Sequence, residues 1–264
     1  MKAGISTACL YPMLLEDAFS TLLQLGFHEF EIFINTFSEL KPDFVRDLRL
    51  KAADTGSRVK SLHPFTSGYE SFLLFSDYER RFQDGLEFYK RYLEVCNLLG
   101  ADFLVLHGKR NDKHSPVSEE QYFDRYGDLF QLGRKFGVTV AQENVNQFLS
   151  DDPAFLLKMK KYCGQDCAFV LDIKQAVRGG QDPFRLCAAM GDQIVHVHMN
   201  DNRPGFDCLL PGCGTMDYPA LLRLLKSFHY SGDFIIEVYR HNFNRLEELL
   251  AAKRVVEELT GRIS

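Results

Sequence analysis

QIVHVHMNDNR, residues 193–203, opens as a short apolar strand and closes on a polar run. Side chains of a strand alternate between its two faces. Val195, Val197 and Met199 therefore share one face, while Ile194, His196, His198 and Asn200 share the other. Asp201, Asn202 and Arg203 follow at once. A buried strand that turns polar at its C-terminal end carries something there.

Working outward, the same kind of stretch recurs. Together with Ile194–Met199, the strand candidates are Gly4–Ala8, Phe30–Ile34, Val59–His63, Phe103–His107, Val138–Glu143, Ala168–Asp172 and Phe234–Val238, eight in all. Between them the apolar residues fall at three- and four-residue spacing, the period of an amphipathic helix. The first helical stretch stops at Gly26, a long one over Asp77–Leu99 at Gly100, and one from Ser118 to Phe136 at Gly137, with Ser118 as its N-cap. Asp152 before Pro153 and Asp182 before Pro183 read as caps followed by a first-turn proline. Further helices are predicted over Asp152–Tyr162, Asp182–Met190, Asp217–Phe228 and Asn242–Leu259. Eight β units, each followed by α, predict an α/β fold: a (β/α)8 TIM barrel in one domain spanning residues 1–264. A doubly wound sheet would carry a glycine-rich turn after its first strand. Here that turn reads STACLYPMLLED, without a glycine.

Composition narrows the partners. The net charge of −5 gives no basic field, so nucleic acid has no electrostatic support. No apolar run is long enough to span a bilayer, and MKAGISTACLYP at the N-terminus lacks the apolar core of a signal peptide. The seven cysteines are odd in number and scattered; the pairs Cys163/Cys167 and Cys208/Cys213 have no partner pair for a zinc site. They read as reduced thiols of a cytoplasmic protein. The expected partner is a small molecule rather than nucleic acid or membrane, and a homo-oligomer is compatible with the sequence.

In a TIM barrel the active site lies at the C-terminal ends of the strands. The last inward residues of the later strands are His63, His107, Glu143, Asp172, His198 and Glu237. Glu143 shares a face with Thr139 and Ala141, Asp172 with Val170, and Glu237 with Ile235. Ionisable groups over an apolar core are costly unless paired or metal-bound. Glu143, Asp172, His198 and Glu237, from strands five to eight, thus form a site for one divalent cation. Carboxylate oxygens favour Mn²⁺ or Mg²⁺, with Mn²⁺ the first expectation, and the imidazole also suits Zn²⁺ or Co²⁺.

These motifs resemble the xylose isomerase-like barrel superfamily, which includes sugar-phosphate isomerases and epimerases and the type 2 apurinic endonucleases. The resemblance covers nearly the whole chain. It rests on GFHEFEIFI with Glu31, LHPF with His63, LVLHGK with His107, VAQENV with Glu143, FVLDI with Asp172, VHVHMND with His198, LPGCGTMDY, and IIEV with Glu237. It implies that Glu143, Asp172, His198 and Glu237 are the ligands of a single metal. Two departures matter. The endonucleases need a histidine where this chain has Gln175, and an Asp-x-His where it has Asp207, Cys208 and Leu209, so the ligands of their third zinc are missing. His63 and His107 could still hold a second metal beside Glu143. The ketose 3-epimerases match at Glu143, Asn146 and Phe148, but carry a glutamate at the position of Leu149 and a histidine at that of Gln175. The metal site is kept while the sugar contacts change.

The resemblance implies a metal-dependent isomerase or epimerase of a small sugar, sugar phosphate or related polyhydroxy compound. Glu143 and Glu237 would move the proton at a carbon next to a metal-bound carbonyl. A dehydratase or lyase of the inosose dehydratase type is the alternative. An apurinic endonuclease-like hydrolase and a non-catalytic metal-binding barrel stand behind it. His63, His107, Lys174 and Arg203 are the expected substrate contacts. Lys174, two residues past Asp172, is placed at the pocket mouth, either for a carboxylate or phosphate or as a proton donor. His196, one layer deeper than His198, reads as a core histidine. Lys109, Arg110 and His114 form a basic loop after strand four, and Gly212 and Gly214 a weak phosphate-turn signal.

Overall fold

In the computed structural model, which describes residues 1–112 and 117–261, the eight apolar stretches become parallel strands of a closed barrel. In chain order these are β1 (Ala3–Ser6), β2 (Glu29–Phe33), β3 (Arg58–His63), β4 (Phe103–Leu106), β5 (Thr139–Glu143), β6 (Phe169–Asp172) and β7 (Ile194–Met199). A hairpin of β8 (Asp201–Arg203) and β9 (Phe206–Leu209) follows, and β10 (Phe234–Ile236) is the eighth barrel strand. The ring runs β1-β10-β7-β6-β5-β4-β3-β2, closing where β10 pairs with β1. The strands are apolar on both faces because one packs the barrel interior and the other the helices. At the seam Gly4 has no room for a side chain: a Cβ there would meet Ile235 Cδ1 at 2.5 Å and the Glu29 carbonyl oxygen at 2.7 Å.

The helices are α1 (Leu15–Gln24), α2 (Pro42–Asp54), α3 (Glu70–Leu73), α4 (Glu79–Leu99), α5 (Glu119–Lys135), α6 (Pro153–Cys163), α7 (Ile173–Arg178), α8 (Pro183–Met190), α9 (Tyr218–Ser227) and α10 (Glu247–Gly261). The expected caps form: Ser118 accepts from Gln121 N, Asp152 from Ala154 N and Asp182 from Phe184 N. Gly100 ends α4 in the left-handed conformation, which glycine adopts without steric cost. Large side chains such as Phe19, Phe30, Tyr89, Tyr126 and Phe169 fill the core between helices and sheet.

Four local features differ from the sequence expectation. β1 stops at Ser6, because its hydroxyl accepts from Ala8 N and turns the chain into a 3-10 segment over Thr7–Leu10. The last helix begins at Glu247 rather than Asn242; Glu248 reaches back to Asn244 N and Arg245 N and fixes its start there. The β8–β9 hairpin and α7 are too short to leave a periodic signal. Among the described residues no helix is long and apolar enough to cross a membrane. All seven cysteines are free.

Candidate functional site

The C-terminal ends of β5, β6, β7 and β10 converge on one imidazole edge. His198 Nδ1 lies 3.0 Å from Glu143 Oε1, 3.3 Å from Asp172 Oδ2 and 3.2 Å from Glu237 Oε2. One ligand atom from each of these four side chains lies within 4.8 Å of the other three, and all four residues are buried. Glu143 turns its second oxygen, Oε2, toward His107 Nε2 at 2.9 Å. Three carboxylates and one imidazole form an oxygen-rich donor set that fits a divalent cation.

A shell of buried polar groups holds this set in place. His198 Nε2, the other ring nitrogen, is 3.0 Å from Glu31 Oε2. Glu31 also accepts from Ser61 Oγ at 2.8 Å and lies 3.3 Å from His196 Nε2. His196 is thus a satisfied core histidine, as expected. Asp172 divides its two oxygens. Oδ1 accepts from Gln175 N, capping α7, and from Asn200 Nδ2, while Oδ2 faces the site. Asn144 grips the Asp172 backbone from both sides, donating to its carbonyl and accepting from its amide, each at 2.8 Å.

Lys174 leaves β6 on the first turn of α7, and its side chain is only 3% exposed. Its ammonium lies 2.7 Å from Glu237 Oε2 and 3.3 Å from Asp172 Oδ2, and 5.1 Å from the centre of the Tyr239 ring. Lys174 and Glu237 line a cavity of about 350 Å³ whose walls include Tyr11, Phe33, Asn35, Phe65 and Tyr239. On the opposite flank, His107 Nε2 is 2.9 Å from Glu143 Oε2 and 3.0 Å from His63 Nε2, and these three residues form a second group able to hold a metal.

The charges of this cluster shift one another. Against its own burial, the Lys174 and His198 charges hold Glu237 well below the usual carboxylate range. Burial pushes Asp172 up to about 6, although Lys174 and His198 pull the other way. His198 is held well above the ordinary histidine value, because Glu31 and Glu237 outweigh its desolvation. Lys174 is likewise raised by Asp172 and Glu237 despite complete burial. Burial lowers His107 and His196.

The remaining sequence candidates lie apart from this centre. Arg203 sits exposed on the β8–β9 hairpin, its guanidinium 4.7 Å from the centre of the Phe206 ring. Lys109 and Arg110 line a separate cavity of about 720 Å³ with Ser71, Asn111 and Gln147, and His114 lies outside the described residues. The turn with Gly212 and Gly214 is already filled: the Asp201 carboxylate accepts from Gly212 N, Gly214 N and Met216 N at 2.9–3.0 Å. Gln175 turns its side-chain oxygen to Asn146 N, and Asp207 pairs with Arg178 at 2.6 Å. Neither points to a further ligand set. Sequence reasoning gave no role to Glu31, Asn144 or Glu70. Glu70 is buried in α3, bonded to Tyr89 Oη and Gly108 N, and burial pushes its carboxyl up to about 8. A glutamate inside an apolar strand, as in EFEIF, was the available signal for Glu31.

Comparison with known proteins gives a consistent result. The profile of the family described as xylose isomerase-like TIM barrel matches residues 19–259. A 3-dehydro-D-guloside 4-epimerase of Escherichia coli (strain K12) is 24% identical over 255 residues, covering 90% of this chain and 92% of that protein. A solved D-tagatose 3-epimerase-like protein superposes with a TM-score of 0.81 at 20% identity, covering 100% of this chain and 98% of the other. A D-psicose 3-epimerase, solved in the presence of D-fructose, superposes at 0.77 with 17% identity, covering 99% and 98%. These superpositions establish the likeness of fold.

Proposed function

The chain belongs to the xylose isomerase-like TIM barrel family, and from that premise we propose that it is a metal-dependent epimerase or isomerase of a small polyhydroxy compound, such as a sugar or sugar phosphate. The observation that carries this reading is the convergence of Glu143, Asp172, His198 and Glu237 within 4.8 Å of one another. The E. coli 4-epimerase and the two 3-epimerase-type structures support it, since each is named for inversion at a sugar carbon.

In this reading the four residues hold one divalent ion, Mn²⁺ first among the candidates. When bound, the ion would supply Lewis-acid polarisation of a carbonyl and so acidify the neighbouring C–H. The protein supplies the rest. Glu143 ends β5 and Glu237 directly follows β10, with β7 and β6 between them, an arrangement that suits approach to a bound carbon from different sides. One removes the proton and the other returns one to the opposite face, which inverts the carbon. His63 and His107, beside Glu143, and Lys174, beside Glu237, are placed to hold substrate oxygens. The Tyr11, Phe33 and Phe65 side of the cavity excludes water from the apolar face of the ring.

Turnover of a keto-sugar panel in heavy water tests this reading. The expected result is deuterium at the carbon next to the carbonyl. Glu143→Gln and Glu237→Gln should each lose about 10²- to 10⁴-fold in kcat with metal still bound, because the amide cannot accept a proton. An unlabelled product would point to hydride shift and sink the proton-transfer mechanism. Release of water from the sugar would replace it with the dehydratase reading.

A further inference from the structure

The oxygens that would bind the metal already have a cation among them. Lys174 Nζ lies 2.7 Å from Glu237 Oε2 and 3.3 Å from Asp172 Oδ2. These are the same two oxygens that face His198 Nδ1, at 3.2 Å and 3.3 Å. They therefore belong both to the ammonium and to the ligand set. A carboxylate oxygen that accepts from an ammonium lends it much of its negative charge. A divalent ion bound to that oxygen would sit within a few ångströms of Nζ, where two cations in a buried site repel strongly. The two cannot share this edge without one of them giving way.

The lysine has somewhere to go. Its chain leaves the first turn of α7 and runs beside the cavity lined by Tyr11, Phe65 and Tyr239. The Tyr239 ring is 5.1 Å from Nζ, within the range at which an aromatic face attracts a cation. A small rotation about its flexible stem would move the ammonium from the carboxylates toward that ring and the cavity.

We infer that Lys174 is a displaceable counter-cation of the metal centre: its ammonium holds the Asp172–Glu237 edge until a divalent ion takes those oxygens, and then turns into the cavity. The inference rests on the metal-dependent reading above and adds two consequences to it. The lysine sets the metal affinity below what the four ligands alone would give. It also turns its ammonium further into the substrate cavity, which Lys174 already lines, once the metal is in place.

Two measurements on the whole protein test this. First, wild type and Lys174→Met are titrated with Mn²⁺, reading free ion by electron paramagnetic resonance. The variant should bind Mn²⁺ about tenfold more tightly, or better, since a nearby positive charge has been removed. Equal or weaker binding by a variant that circular dichroism shows to be folded overturns the inference. Second, lysine labelling with formaldehyde and a borohydride is read by mass spectrometry on wild type alone, with chelator and with saturating Mn²⁺. Lys174 should be labelled faster with the metal present. Mn²⁺ binding without any change in Lys174 labelling overturns the inference but leaves the metal reading standing. Failure of wild type to bind Mn²⁺, Mg²⁺, Co²⁺ or Zn²⁺ removes the metal reading and the inference together.

Discussion

Glu31 shows how much of this site is decided by a residue behind the four-ligand set. Its Oε2 takes His198 Nε2, Ser61 Oγ and the edge of His196 at 2.8–3.3 Å, fixing which edge of the His198 ring faces the three carboxylates. A carboxylate behind a ligand histidine also raises the basicity of the ring. Glu31→Gln keeps the volume and loses the charge. It should fold, yet bind Mn²⁺ about 10- to 100-fold more weakly, the usual cost of removing such a partner. Calorimetric titration showing unchanged affinity would mean that packing alone orients the ring. At this scale strand alternation was a good guide. It placed Glu143, Asp172, His198 and Glu237 together, and His63 and His107 beside them. It gave Lys174 no partners, because the chain has left the strand by that residue and the first turn of α7 sets its direction.

Short elements carry the features that periodicity could not reveal. The β8–β9 hairpin is too brief to show a pattern, yet it sets Arg203 out on the surface and brings Asp201 under the glycine turn. A turn with two spaced glycines suggests an anion seat, and the suggestion was chemically sound: three backbone N–H groups converge there. The anion is the protein's own Asp201 carboxylate. Gly214 is required by the same contact, since a Cβ would come within 2.3 Å of Asp201 Oδ1. Asp201→Ala leaves Gly212, Gly214 and Met216 amides without their acceptor. The expected loss is about 1–2 kcal/mol, because these amides are only partly buried and water replaces part of what the carboxylate supplied, measured by urea unfolding. A loss below the error of that measurement would show that solvent replaces the carboxylate freely. The strands and longer helices were legible to within a few residues because caps and glycine stops mark them. Their exact ends were not, because local bonds such as Ser6 Oγ to Ala8 N decide them.

For the whole molecule, the count and order of apolar stretches pointed to an eightfold barrel, and the family match agrees. The reason is simple: each βα unit needs its neighbours to bury two faces, and only closure leaves no strand edge. What the sequence left unspecified is the seam. Ala3, Gly4 and Ile5 of β1 pair with Phe234, Ile235 and Ile236 of β10, strands from opposite ends of the sequence. This feature governs the time course of folding. Every other neighbouring pair of barrel strands can form after closing a shorter loop, whereas the β1–β10 pair must wait for the longest loop in the barrel. Until it forms, two apolar edges stand open together, the condition in which chains stick to one another. The close approach at Gly4, which leaves no room for a Cβ, is what the final pair depends on. Gly4→Ala should therefore slow refolding several-fold and increase the aggregated fraction with rising protein concentration. Because the chain has no tryptophan, tyrosine fluorescence would follow the reaction. Refolding at the wild-type rate would place the slow step elsewhere. The seam thus acts as a latch on assembly: one missing methyl group, far in sequence from the strand it admits, sets how long the unfinished protein is exposed to its own copies.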